Sequence, residues 1–229
     1  MELAIDTSTD FAGVALTDEG KLISEFTWHS GQNHTIELIP NINMLLKQKK
    51  MEIKSIDVVF VAKGPGSFNG LRVGLSSAKG FASALNIPLI AISTLEIESI
   101  PFAYTGLPLC PIHNVGRGEI AVALYQQTTD WQCLETEHIT NMDALINSLN
   151  TKTIFCGEIP QSVIEQLQKN TGSLAMIPDS TTRLRRPGYL SKLGWQRFLK
   201  GQKDDPGLLQ PIYLRQPPIT QGKTKKIKM

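Results

Sequence analysis

Apolar and polar positions alternate at the start of the chain. Residues 3–5 (Leu-Ala-Ile), 12–16 and 21–28 read as short β-rich runs, separated by the polar cluster Asp6-Thr7-Ser8-Thr9 and the turn Thr17-Asp18-Glu19-Gly20. Runs of this length bounded by Asp and Gly predict an antiparallel meander. The period then changes. Ile36, Ile39, Ile42, Leu45 and Leu46 recur at helical spacing, with His34 or Thr35 opening the helix and Lys47 to Lys50 suiting its negative end. Residues 56–62, apolar but for Asp57, read as a strand of the kind buried on both sheet faces. A Gly-rich loop leads to a helix at about 71–85, ended by Asn86 and Pro88, and a strand follows at 89–92.

The second half repeats this order. Strands are expected at 109–114, 119–126 and 133–139, a helix at 142–149, a strand at 153–156, a helix at 160–169, a strand at 174–177 and a helix at 189–200. A meander feeding alternating helix and strand, twice over, implies two α/β lobes with a cleft between them. The expected fold class is a two-lobed actin-like, sugar-kinase-like (ASKHA) architecture with a duplicated β-β-β-α-β-α-β order. The expected lobes are residues 1–104 and 105–215, followed by a disordered basic tail at 216–229. In that superfold the Asp6–Thr9 turn sits where nucleotide phosphate is held.

Composition narrows the class. Hydrophobic residues make up 41% of the 229, which excludes a disordered or fibrous chain. No apolar run approaches the ~18 residues of a spanning helix, and no basic segment precedes the first apolar stretch. The expectation is a cytoplasmic protein with no membrane association. Cys110, Cys133 and Cys156 suit neither a disulfide framework nor a zinc site and read as reduced thiols. The net charge of +2 conceals a split. Residues 1–179 carry 11 Lys and Arg against 19 Asp and Glu, whereas residues 180–229 carry 12 against 2. The basic end is either a solvated, solubilising face or an attractor of phosphate.

The densest chemistry lies at residues 63–74, Lys-Gly-Pro-Gly-Ser-Phe-Asn-Gly-Leu-Arg-Val-Gly, between a buried strand and a helix. Free N–H groups and the helix dipole favour an anion there, so Gly64, Gly66 and Ser67, with Asp6 and Thr7 opposite, form a candidate anion loop at the cleft. The loop lacks Walker spacing and its lysine, and the alternative is a tight strand-to-helix turn. Along the helix, Gly70, Gly74, Ala78 and Ala82 fall on one face. Two helical glycines cost about 1 kcal/mol each against alanine, which close approach of another helix would offset. That helix is either the one at 36–46 in the same chain or one from another subunit. If it comes from another subunit, the candidate partner interface is Ile36, Ile39, Ile42, Leu46, Gly70, Arg72, Gly74, Ala78 and Ala82. Gly74→Leu is expected to weaken partner binding.

Residues 64–80, GPGSFNGLRVGLSSAKG, resemble the signature of the bacterial TsaB (YeaZ) family, with Asn69 where that family usually has threonine. The opening AIDTST, the HTIELIP of the first helix, PLIAISTLE at 88–96 and PIYLR at 211–215 match in the same order. The segment is also similar to the TsaD-type threonylcarbamoyl transferase, which carries an HxxxH pair after this helix. Two imidazoles at i and i+4 can share a metal, but here Thr94 and Glu98 occupy those positions.

The resemblance implies a non-catalytic subunit supporting threonylcarbamoylation of adenosine in the anticodon loop of tRNA, with no cofactor and no metal of its own. Its implied partners are the TsaD-type transferase, docked through the first lobe's helices, and a TsaE-type ATPase as third subunit. In isolation a homodimer is implied. At 114–119 the chain reads Asn-Val-Gly-Arg-Gly-Glu where the family often has Asp-Ala-Arg-Arg-Gly-Glu, so Gly116 and Gly118 read as a hairpin turn. The rival readings are a nucleotide-dependent kinase or hydrolase using Asp6, Thr7 and the glycine loop, a metallopeptidase-like enzyme of the same fold, and a self-associating structural protein.

Overall fold

The computed structural model describes residues 1–214. The segment 216–229, expected to be disordered, lies outside the described residues. The first sheet contains β1 (Glu2–Asp6), β2 (Phe11–Asp18), β3 (Lys21–His29), β4 (Val58–Ala62) and β5 (Leu89–Ile92), in the order β3-β2-β1-β4-β5. β1 pairs antiparallel with β2 (Ile5 opposite Val14) and parallel with β4 (Ile5 opposite Val61). Two helices complete this half, α1 (His34–Gln48) and α2 (Phe68–Leu85).

The second sheet contains β6 (Leu109–Gly116), β7 (Glu119–Gln127), β8 (Trp131–Asn141), β9 (Thr153–Cys156) and β10 (Ala175–Met176), in the order β10-β9-β6-β7-β8. This is the first sheet's order over again. Its helices are α4 (Met142–Ser148) and α5 (Gln161–Thr171). The strand expected at 174–177 is only two residues long because a 3-10 turn at Gly172–Leu174 takes up its start.

Two further helices cross between the halves. The short α3 (Thr94–Ser99) was not expected, and α6 (Pro187–Leu199) follows the second sheet. On the first sheet, Leu3, Ile5, Val14, Val59 and Val61 face the α1 and α2 side chains Leu38, Ile42, Leu75 and Ala78. The alternate residues Ala4, Ala15, Val58 and Phe60 face Leu190 and Leu193 of α6. On the second sheet, Cys110, Ile112 and Phe155 pack against α4 and α5, while Leu109, Tyr125 and Cys156 pack against Leu95 of α3 and Phe102. Period-2 alternation thus splits each sheet into two apolar faces, each covered by helices. Each half lends a helix to the other's sheet: α3, within residues 1–104, lies on the second sheet, and α6, within residues 105–215, lies on the first. At an order of 25 cal/mol per Å² of apolar area, these swapped helices make the lobes mutually dependent for stability.

No helix among the described residues is long and apolar enough to cross a membrane.

Candidate functional site

The Gly-rich loop and the Asp6–Thr9 turn meet face to face, and their polar groups satisfy each other. The Ser67 N–H donates to the Ser8 carbonyl at 2.6 Å, and the Thr7 hydroxyl donates to the Gly70 carbonyl at 2.7 Å. Ser67 caps α2, its hydroxyl accepting from the Gly70 N–H at 3.4 Å. The glycines are explained by this approach. A Cβ on Gly66 would fall closer than 3.0 Å to the Ser8 carbonyl oxygen, and one on Gly70 equally close to that of Thr7. The tight-turn alternative accounts for these glycines, and the Ser67 N–H of the expected anion loop of Gly64, Gly66 and Ser67 is spent on the Ser8 carbonyl.

The cleft beside this turn is a cavity of about 470 Å³ lined by Thr9, Asp10, Ser67, His113, Glu158 and Tyr213, among others. Its two lining carboxylates oppose a phosphate. Burial, then the nearby Arg185 charge, holds the His113 imidazole below its ordinary pKa, and its Nδ1 is buried without a partner. Burial pushes the Cys110 thiol up to about 12 and raises Cys156 well above its usual value, so neither is an activated nucleophile.

Behind the cavity lies a buried charge cluster. Arg185 donates from Nε to Asp6 Oδ2 at 2.5 Å, from Nη1 to Glu98 Oε1 at 2.6 Å and from Nη2 to the Thr9 hydroxyl at 2.9 Å. Glu158 stands 3.8 Å from the same guanidinium and accepts the Thr9 hydroxyl at 2.6 Å. Of the implied ligand positions, then, Glu98 is engaged by an arginine, and the Thr94 hydroxyl is buried without a partner. Glu98 gives Oε1 to a guanidinium, and a hydroxyl with a carboxylate does not reproduce an imidazole pair.

Burial, only partly opposed by Arg185, raises the Glu98 pKa to about 8. Oε1 accepts from Arg185, so the proton sits on Oε2, which has no hydrogen-bond partner. An unfolded glutamate ionises near pH 4.3, so from there to pH 8 the folded state binds more protons and stability falls as pH rises. The depressed His113 adds an opposite trend only below about pH 6.5, its unfolded value. Between pH 6.5 and 8 the melting temperature is expected to drop, at up to about 1.4 kcal/mol per pH unit. Glu98→Gln should flatten that slope in thermal melts. An unchanged slope would assign the drop to another group.

The candidate interface residues divide by direction. Ile42 and Leu46 are 1% and 3% exposed and belong to the first lobe's core. Gly70, Gly74, Ala78 and Ala82 face inward as well, and a Cβ on Gly74 would overlap the Thr7 hydroxyl. These six are corrected to core positions: the small-residue stripe admits the chain's own first sheet and turn, not a partner's helix. Gly74→Leu accordingly strikes the fold before any partner. The other three are at the surface. Ile36 is 71% and Ile39 41% exposed, and the exposed Arg72 guanidinium stacks 3.8 Å above the Phe68 ring. On α2 the small residues Ser76, Gly80, Ser83 and Ala84 are exposed, and a Cβ on Gly80 would meet nothing within 4 Å. Sequence reasoning missed this second row, and it missed Arg185 and Glu158, which reach the cluster from distant segments.

Two mixed sheets of one topology around a cleft, with each half's helix crossing to the other, define the two-lobed actin-like class of α/β proteins. A family model described as TsaD, tRNA N6-adenosine threonylcarbamoyltransferase, matches residues 25–183. The tRNA threonylcarbamoyladenosine biosynthesis protein TsaB of Bacillus subtilis is 30% identical over 217 residues, 93% of each chain. That of Escherichia coli is 34% identical over 220 residues, 93% of this chain and 94% of the relative. The solved YeaZ from Pseudomonas aeruginosa superposes with a TM-score of 0.79 at 22% identity, over 93% of this chain and 99% of that one. The chain belongs to the TsaB family.

Proposed function

We propose that this chain is the non-catalytic docking subunit of the assembly that adds the threonylcarbamoyl group to adenosine in the tRNA anticodon loop, and that it binds the TsaD-type transferase. The observation that carries this is the outward face of α1 and α2. Large aliphatic side chains, Ile36 and Ile39, stand exposed on one helix, and the row of small residues on the other leaves space for a helix to approach. Aliphatic anchors beside a small-residue row suit helix-on-helix packing, where close approach maximises contact. The Ser67 N–H bonded to the Ser8 carbonyl and the Arg185-filled carboxylate cluster support a role without nucleotide or metal chemistry of the chain's own.

The same face pairs two copies when the transferase is absent, and transferase binding replaces the second copy. A TsaE-type ATPase joins as third subunit at another surface. The basic end at 180–229, with 12 Lys and Arg, adds a weak phosphate contact to bound tRNA. The compartment implied is the cytoplasm.

Reconstitution tests the reading. Transferase and ATPase are incubated with tRNA, threonylcarbamoyl donor and ATP, with and without this chain, and the modified nucleoside is measured. Product is expected only when the chain is present. Full product without it, or ATP turnover and tRNA modification by the chain alone, would overturn the docking role.

A further inference from the structure

A second cavity, of about 780 Å³, opens between the lobes on the side of α6. Its walls come from both halves: Lys63 and Ser93 from the first, Trp131 and Glu137 on β8 of the second, Arg197 from α6 and Ile212 beyond it. Ile212 also lines the cavity beside the Asp6–Thr9 turn, so it stands between the two.

Part of this wall is satisfied within the chain. Arg197 pairs with Glu96 and donates to the Ala91 carbonyl at 3.1 Å, while Trp131 Nε1 donates to the other Glu96 oxygen at 3.1 Å. The Trp131 ring stacks on Tyr125 with centroids 5.5 Å apart, and the Tyr125 hydroxyl donates to Glu137 Oε1 at 3.3 Å. Three groups are left over. Lys63 is half-buried, its N–H bonded to the Ile92 carbonyl and its carbonyl to the Ile212 N–H, yet no carboxylate among the described residues pairs with its ammonium. Glu137, also half-buried, accepts that one long bond and faces no cation within ion-pair distance among the described residues. Ser93 is 4% exposed and lies near the Tyr125 phenol, but its hydroxyl has no hydrogen-bond partner. Half-buried unpaired charges and a buried unsatisfied hydroxyl each carry a desolvation cost that a bound ligand relieves.

We propose that this cavity binds a small zwitterion, a free α-amino acid, with its carboxylate on Lys63 and Ser93 and its ammonium on Glu137. Charge balance selects the class. The ionic side chains of the lining are Lys63, Arg197 and Lys200 against Glu96, Asp130 and Glu137, so neither a bare anion nor a bare cation gains from the field of the whole site. A molecule carrying both charges a short distance apart meets one of each. Trp131 offers apolar ring surface to the rest of the ligand, and the volume is that of an ordinary small-molecule site. No residue of α1 or α2 lines the cavity, so the inference is independent of the docking role.

Thermal melts of the full chain test the site and identify the occupant. With each common L-amino acid in turn at about 10 mM, at least one should raise the melting temperature by about 3–6 °C, the shift for a ligand near tenfold its Kd in a chain of this size. The Nα-acetyl form of that amino acid, which lacks the ammonium, and its amide, which lacks the carboxylate, should leave the melting temperature unchanged. In calorimetry the same amino acid should bind Lys63→Met and Glu137→Gln at least about tenfold more weakly than the parent, the loss of one charge-assisted bond. Neither variant gives up an ion pair, so both should melt within about 2 °C of the parent in ligand-free buffer, and either one decides should the other fail to fold. No shift with any amino acid, equal shifts with the acetylated or amidated form, or parental affinity in the folded variants would overturn the proposal.

Discussion

Alanine at Gly70 lowers the melting temperature of the isolated chain by about 4–8 °C, whereas alanine at Gly80, on the same helix, raises it by about 2–4 °C. The two substitutions add the same methyl group and gain at most about 1 kcal/mol of helix propensity each. They differ in what the methyl meets. At Gly70 it meets the Thr7 carbonyl, fixed by the pairing of β1 and by the hydrogen bonds of the turn. At Gly80 it meets nothing within 4 Å. Backbone cannot rotate out of the way as a side chain can, so overpacking at Gly70 costs about 3 kcal/mol and outweighs the propensity gain. Each kcal/mol corresponds to about 2–4 °C for a chain of this length. Thermal melts by circular dichroism read both values, and a stabilised Gly70→Ala would show that the turn does not press on α2.

Ile39→Glu weakens binding to the transferase at least about 30-fold and leaves the fold intact. Ile39 is 41% exposed, so a charge there stays solvated in the free chain and changes stability by no more than about 0.5 kcal/mol. In the complex the same carboxylate would be stripped of water inside an apolar contact. An anchor residue lost from the centre of an interface costs about 2 kcal/mol or more, which sets the 30-fold figure. Calorimetric titration with the transferase gives the affinity, and a melting curve of the same sample checks the fold.

Much of the fold was legible because the two backbone periods are distinct. The strands Leu89–Ile92 and Thr153–Cys156 fall where continuous apolar runs bounded by polar residues place them, and the duplicated element order follows from repetition of the pattern. The helix α3 was not legible. It has six residues, all buried, so no polar face marks a helical period. The crossing of α3 and α6 to the opposite sheets was equally hidden, because a one-dimensional pattern shows that a face is apolar but not which sheet covers it.

The site was legible in part. Asp6 and Thr7 are buried against Arg185 and Gly70, and the turn residues that line the cavity are Thr9 and Asp10; Glu98 proved central, but as an arginine's partner. Arg185 lies 179 positions from Asp6 and carries no local signal. The helix faces misled for a geometric reason. Each residue turns an α-helix by about 100°, so Ile36 lies about 120° around α1 from Ile42 and cannot share its surroundings. On α2 two small-residue rows run in parallel, and spacing alone does not say which one faces the sheet.

The most direct test of the docking face is a calorimetric titration of the transferase into Ile39→Glu and into Gly70→Ala, at a temperature where melting curves show both folded. The account expects the outward variant to lose its affinity and keep its stability, and the inward variant to keep its affinity and lose stability. Parental affinity in Ile39→Glu, with the loss falling on Gly70→Ala instead, would contradict it.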